Sequence, residues 1–261
     1  MSALLELRGI GMTFGGLRAV DDLSFAVQQG HIVGLIGPNG AGKTTVFNII
    51  TGVYRPTNGD VFWQDQRITG TAPHRIARLG IRRTFQTIRL FAEMSVFENV
   101  RAGCHLRARR NWWQGMLSLP AQRREETALA ERTHDILHRL DLAQVADEPA
   151  TSLPYGMQRR VELARTLAGE PLLVILDEPA AGLNDAESAA LNDTIFAIRD
   201  SGVTVLLVEH DMNVVMNVTD HIVVINFGRK IAEGNAESIR TNPAVIEAYL
   251  GTEDEDEEAA A

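Results

Sequence analysis

The chain carries one cysteine in 261 residues, Cys104, so no disulfide can form within it. A lone thiol fits a reducing compartment and a core held by burial rather than by cross-links. Long apolar runs are also missing; none approaches the ~20 residues that a helix needs to span a bilayer. The opening residues, Met1-Ser2-Ala3-Leu4-Leu5-Glu6, lack a basic segment followed by a long apolar stretch, so no secretory leader is expected. Positive charge is in deficit: the formal net charge is −9, which argues against a general nucleic-acid surface. Six of the negative charges stand together from Glu253 to Glu258, and residues 252–261 read as a disordered, solvating tail. No internal repeat occurs, and no low-complexity stretch outside that tail. What remains, 45% hydrophobic and 23% charged, suffices for one large domain or for a core domain with a subdomain.

The first part of the chain reads as strands. Leu4 to Met12, Leu23 to Val27 and Asp60 to Trp63 are short, apolar-rich and bounded by turn residues. His31 to Ile36 is continuously apolar after its first residue and predicts a strand buried on both faces. From about Ser95 to Ala168 the pattern is helical. Leu129, Thr133, Ile136, Leu137 and Leu140 make an apolar stripe at helical spacing, read as core. Arg101 to Arg124 is rich in arginine, a solvated face, and holds Trp112-Trp113 in a segment expected to pack on a partner. The last third alternates again. Leu172 to Leu176, Val203 to Val208 and His221 to Ile225 predict buried strands, and helices such as Glu187 to Asp200 between them predict a parallel sheet. The chain thus reads as a core interrupted by a helical subdomain, about residues 87–170, within a single unit of residues 1–251.

Directly after the buried strand comes Gly37-Pro38-Asn39-Gly40-Ala41-Gly42-Lys43-Thr44, followed by Thr45 and a helix running to about Ile50. This is G-x-x-x-x-G-K-[ST] in the strand–turn–helix setting that the motif requires. A polyphosphate needs dense positive potential, and the segment supplies it in three ways. Glycines let backbone N–H groups turn inward. The helix N-terminus adds about half a positive charge. Lys43 reaches the β- and γ-phosphates, and the Thr44 hydroxyl can ligate Mg²⁺.

A second constellation is Leu172-Leu173-Val174-Ile175-Leu176-Asp177-Glu178-Pro179. Two carboxylates emerge at the C-terminal end of a buried strand, where open α/β sheets bind ligands. Asp177 suits a Mg²⁺ carboxylate, direct or through water. Glu178 suits a base that polarises a water attacking the γ-phosphate. Taken alone, the pair would also serve as a helix N-cap; beside a phosphate-binding loop that reading falls away.

With these motifs in order, the sequence resembles the nucleotide-binding subunit of an ABC transporter over nearly its whole length. The resemblance implies an α/β fold: a P-loop NTPase core with a mostly parallel sheet, an N-terminal antiparallel β subdomain and an inserted α-helical subdomain. It implies ATP and Mg²⁺ as cofactors. It assigns Gln86, after a strand expected from Ile81 to Phe85, to the Mg²⁺ and γ-phosphate side of the site. His210, within Val208-Glu209-His210-Asp211, becomes a γ-phosphate sensor, and Ala181-Gly182-Leu183-Asn184 the loop after the catalytic acid. Phe14 stands where the family places an aromatic that stacks on adenine; a core phenylalanine is the rival reading.

Arg83-Thr84-Phe85-Gln86, the tryptophan-bearing insertion, Tyr155 to Arg160, Glu209-His210-Asp211-Met212 and Ala248-Tyr249-Leu250-Gly251 are similar to the LivG-type ATP-binding subunit of branched-chain amino-acid importers. That subgroup implies a second ATPase subunit of LivF type and transmembrane permease subunits as partners. It implies a peripheral position on the cytoplasmic face of the plasma membrane, with no insertion of its own. The alternatives are an ABC exporter such as one for lipopolysaccharide, and a soluble ABC ATPase outside transport; one P-loop and no heptads speak against the latter.

The signature departs from the family. Most members read Leu-Ser-Gly-Gly-Gln, whereas this chain reads Leu153-Pro154-Tyr155-Gly156-Met157. Pro154 offers neither a hydroxyl nor an N–H. The amides of Tyr155, Gly156 and Met157, at a helix N-terminus, are left as phosphate donors. Because paired subunits complete each other's sites in this family, the departure implies two unequal ATP sites.

Overall fold

A computed structural model describes residues 3–84, 87–104, 120–209 and 212–249, the side chains of 120–125 apart. The chain divides into two compact units, one from Met1–Ile81 with Leu173–Ala261 and one from Arg82–Leu172.

The first unit opens with a hairpin longer than the apolar pattern suggests. β1 (Ala3–Phe14) and β2 (Leu17–Gln28) pair antiparallel down to Phe14 opposite Leu17. Their two-residue turn is Gly15-Gly16, both at positive φ, which matches the twist of a tight hairpin. Exposed residues near the tip hide the strand from a burial pattern. β4 (Asn58–Trp63) and the short β5 (Gln66–Arg67) complete a four-stranded sheet in the order β2-β1-β4-β5.

The second sheet has the order β10-β9-β3-β8-β7-β6. β3 (Ile32–Ile36), β7 (Leu173–Asp177) and β8 (Thr204–Val208) are buried at every residue. Parallel pairing joins β3 to β8 and β9 (His221–Asn226), and β8 to β7. Central parallel strands need apolar residues on both faces, which is why these segments read as continuous runs. The core with a mostly parallel sheet and an antiparallel N-terminal sheet is therefore present. β10 (Arg229–Gly234), an antiparallel edge strand, escaped the sequence pattern because its outer half is polar and exposed. β6 (Ile81–Arg83) is shorter than the expected Ile81 to Phe85; Phe85 lies outside the described residues.

Helix α1 (Lys43–Ile50) follows β3, and α2 (Pro73–Arg78) precedes β6. α6 (Asp185–Asp200) starts two residues before the expected Glu187. Asn184 caps it in a reciprocal box with Glu187, their N–H to carboxamide and carboxylate contacts each 3.0 Å. α7 (Met212–Val218), α8 (Ala236–Arg240) and a last helix at residues 243–249 pack onto one face of the sheet through Ile36, Val215, Ile222, Val224, Ile239 and Val245.

The second unit is helical but not continuously so. It contains α3 (Val96–Cys104), α4 (Pro120–Arg139) and α5 (Tyr155–Leu167). Between α4 and α5 the chain turns at Asp141, with φ 55°, and passes through Pro149 and Pro154, each of which opposes a helix. Thr133, Leu137 and Leu140 of the apolar stripe are buried; Leu129 and Ile136 are half-buried. Trp112, Trp113 and the acidic tail lie outside the described residues.

Candidate functional site

The turn after β3 is built for close approach. A Cβ on Gly37 would lie 2.0 Å from the Ile225 carbonyl oxygen, and one on Gly42 would lie 2.5 Å from that of Ala19. Only glycine fits either place, and Gly42 also takes φ 102° as the residue capping α1. No side chain caps that helix and no acid stands in its first turn, so its first N–H groups face outward with their partial positive charge intact. The loop is braced from outside by Gly228 N–H, which donates to Ala41 O at 3.0 Å. Asn39, Gly40 and Thr44 are exposed, Thr45 is half-buried, and Pro38 and Ala41 are buried. The exposed part is thus a rim made of the Gly40 backbone, the Asn39 carboxamide and the Thr44 hydroxyl.

Lys43 is 8% exposed and folds back over this turn. Its ammonium donates to Gly37 O at 2.5 Å and Pro38 O at 2.8 Å. Burial pulls its pKa below the usual lysine range, while the carboxylates of Glu178 and then Asp177 push the other way. The three charged groups that the sequence put at separate strand ends are therefore neighbours. Topology explains why: β8 lies between β3 and β7, all three run parallel, and their C-terminal ends share one edge.

Asp177 is 7% exposed as the last residue of β7. Glu178 is half-buried and sits at φ 46°, a conformation that non-glycine residues avoid, just before Pro179. Two bonds from the neighbouring strand hold this turn. Glu178 N–H donates to Val208 O at 2.9 Å, and Ala180 N–H donates to the Glu209 Oε1 at 2.7 Å.

Phe14 is not a core residue: it is 39% exposed at the end of β1, with its ring edge-on to Tyr54 at 5.3 Å. The core alternative for this residue is thus discarded, and an aromatic face is available at the surface of the first unit. In the second unit, Tyr155 opens α5 and is 44% exposed, with Gly156 and Met157 half-buried. One expected donor is otherwise engaged. Met157 N–H donates to Pro154 O at 3.0 Å, as does Gln158 N–H, which leaves the amides of Tyr155 and Gly156 as the candidate donors there. Gln86 and His210 lie outside the described residues.

Comparison with known proteins matches these features. A family model described as ABC transporter matches residues 20–181, and one described as branched-chain amino acid ATP-binding cassette transporter matches residues 229–255. BraF of Pseudomonas aeruginosa, a high-affinity branched-chain amino acid transport ATP-binding protein, is 47% identical over 249 residues, covering 95% of this chain and 98% of the relative. This chain belongs to the ABC transporter ATP-binding proteins. LivG of Escherichia coli strain K12 is 45% identical with the same coverage. Among solved structures, the ADP conformation of MJ1267, an ATP-binding cassette of an ABC transporter, superposes with a TM-score of 0.83 at 30% identity, over 96% of this chain and all of that one. An ATP-binding and ATP-hydrolysing subunit of this kind serves membrane permeases and lies peripheral to the membrane. No helix among the described residues is long and apolar enough to cross one.

Three features of this ABC subunit had no assigned role in the sequence. Glu209 is fully buried; in the sequence it is an acid set directly after a buried strand and before His210, with no role of its own. Arg159 and Glu162 are 3% and 2% exposed on α5 and paired at 3.2 Å. Burial raises the Glu162 carboxyl pKa, with Arg159 and Arg165 opposing. Arg159 also donates to the Tyr155 hydroxyl at 3.4 Å, so a buried ion pair braces the start of the signature helix. The spacing of three residues amid Val161, Leu163 and Ala164 was the available clue. Finally, Tyr249 packs against the cluster around Ile36, and burial pushes its phenol up to about 12 beside the backbone of Gly37.

Proposed function

We propose that this chain powers an importer of branched-chain amino acids, from the cytoplasmic face of the plasma membrane, paired with a second ATPase subunit of LivF type. What supports the nucleotide chemistry most is one observation: Lys43 lies in the field of Asp177 and Glu178, over a turn with no room for a Cβ at Gly37 or Gly42. The cargo class comes from the similarity to BraF and LivG at 45–47% identity over nearly the whole of each chain.

The residues present fit the nucleotide and its metal. The amides of Gly37 to Thr44 and the Lys43 ammonium meet the phosphates. Lys43 must then exchange its bonds to Gly37 and Pro38 carbonyls for phosphate oxygens, a swap between charge-assisted partners that costs little net energy. Thr44 and Asp177, with Gln86, would hold Mg²⁺. When bound, that ion neutralises charge on the β- and γ-phosphates. Phe14 presents its exposed face to adenine. Glu178 accepts a proton from the attacking water, a role that supplies about 10²–10⁴-fold. His210 senses the γ-phosphate. Tyr155 and Gly156 amides contact the nucleotide held on the partner ATPase. Contact with both subunits occurs only in the closed pair, so ATP shifts the population toward closure and its hydrolysis releases it.

The test is reconstitution of the transporter in vesicles with its binding protein. Radiolabelled leucine, isoleucine or valine should accumulate only with MgATP on the side of this subunit, and Lys43→Ala should abolish uptake. Uptake of none of the three, with another solute carried instead, overturns the cargo. Purification of a functional complex with this chain as its only ATPase overturns the LivF-type pairing.

A further inference from the structure

Glu209 is the only fully buried carboxylate among the described residues, and nothing in the proposed chemistry uses it. Its position is specific. It follows the last residue of β8 and immediately precedes His210 in the chain. Its Oε1 accepts the Ala180 N–H at 2.7 Å, two residues beyond Glu178. Val208 O, one residue earlier, accepts the Glu178 N–H at 2.9 Å. Adjacent residues of one strand end therefore grip the turn at Glu178 and at Ala180, one through main chain and one through side chain.

That turn needs a grip. Glu178 holds φ 46°, and a non-glycine residue stays in such a conformation only when its surroundings enforce it. Within the turn, Ala181 N–H donates to Glu178 O at 3.2 Å and Leu183 N–H to Ala180 O at 3.1 Å, but neither bond ties the turn to the sheet. The Val208 bond continues the β7–β8 ladder and fixes the turn's first residue. The Glu209 bond is the one that fixes its exit. Burying a carboxylate is costly unless it is well paired, and one use of this buried side chain is to accept the Ala180 amide at the exit of the turn.

We infer that Glu209 is a positioning residue for ATP hydrolysis: it clamps the Glu178–Leu183 turn to the end of β8, holding the base in register with the strand that leads into His210. The inference rests on the reading of Glu178 as the base. Removing the clamp leaves the phosphate-binding turn untouched, since Lys43 and its carbonyl partners Gly37 and Pro38 belong to the turn between β3 and α1 and the start of α1. It frees the turn to relax toward ordinary φ, and the base moves with it.

The test uses the whole transporter in lipid nanodiscs, with MgATP as the probe. Glu209→Ala should lower kcat about 10²-fold, the scale of a ~1 Å misplacement, while KM for ATP stays within about threefold. Glu209→Gln, which keeps an acceptor oxygen at the same reach, should recover most of the lost turnover. Glu209→Asp keeps the charge but withdraws the oxygen by one methylene, and should remain slow. If Glu209→Ala does not assemble, the Gln and Asp pair decides: an active Gln variant beside a slow Asp variant supports the clamp, and any other ranking overturns it. Turnover of Glu209→Ala close to that of the parent, or a KM that rises as far as kcat falls, also overturns it. Glu178→Gln, run in parallel, separates the two readings. Full turnover there sinks the base assignment itself; an inactive Glu178→Gln beside a normal Glu209→Ala sinks only the clamp.

Discussion

Replacing Glu178 by glycine should make the protein more stable and unable to turn over. The residue holds φ 46° ahead of Pro179, and an L-residue there costs about 1–2 kcal/mol that glycine does not incur. Glycine gives back about 0.5–1 kcal/mol through the greater freedom of its unfolded chain. The net gain is centred on about 0.75 kcal/mol and is at most about 1.5, so the midpoint is worth roughly 2–3 °C in Tm for a domain of this size. Charge complicates the comparison, because Glu178 lies near both Lys43 and Asp177. Glu178→Gln removes the charge and keeps the backbone, so it is the proper reference. The assay is thermal unfolding of both variants without nucleotide, followed by steady-state ATP hydrolysis in the assembled transporter. Gly should melt above Gln, and both should lack turnover. A Gly variant that melts at or below Gln refutes backbone strain at the base, and with it the need for the two bonds from β8.

Three further outcomes are expected. Gly37→Ala places a methyl 2.0 Å from a backbone oxygen of β9, which nothing flexible can relieve, so it should destabilise by ~3 kcal/mol or more in urea unfolding. Phe14→Ala should weaken ATP binding by about 5–160-fold, the range of losing ~1–3 kcal/mol of base stacking, with Tm unchanged within a degree or two because the ring is already 39% exposed; calorimetric titration checks it. Arg159→Met leaves Glu162 buried without the cation paired to it at 3.2 Å, with Arg165 as the remaining cation opposing the burial, and should cost about 3–5 kcal/mol near neutral pH. Its pH dependence has a definite sign. The folded pKa of Glu162 is raised above its ordinary 4.5, so the native state holds the proton to higher pH, and this group's stabilisation falls as pH rises through the folded value. Losing Arg159 raises that value further. The deficit of Arg159→Met against the parent, measured from urea midpoints, should therefore be smaller at about pH 5.5 than at about pH 8.

Most of the candidate nucleotide site was legible because it is local. Gly37 to Thr44 is one turn between one strand and one helix, and Asp177-Glu178 ends one buried run. The continuous burial of β3, β7 and β8 made those segments readable as central strands. Other elements were hidden for definite reasons. The ends of β1 and β2 near Gly15-Gly16 and the whole of β10 are half polar and edge-exposed, so no burial pattern marks them. The helical reading of residues 95–168 overran the break near Asp141, Pro149 and Pro154, since apolar spacing resumes on either side of it.

The amino-acid order alone determined the family, the phosphate-binding turn and the pair of acids, because each is a run of neighbours whose chemistry needs no distant partner. Folding decided the rest. Parallel placement of β8 between β3 and β7 is what brings Lys43 into the field of Asp177 and Glu178 across more than 130 residues of chain. The same packing pins Glu178 in a left-handed backbone, buries Glu209 against the Ala180 amide and seals Arg159 with Glu162. Such contacts depend on which surfaces exclude water together; the three-residue spacing of Arg159 and Glu162 shows that the two can meet, and only packing buries them.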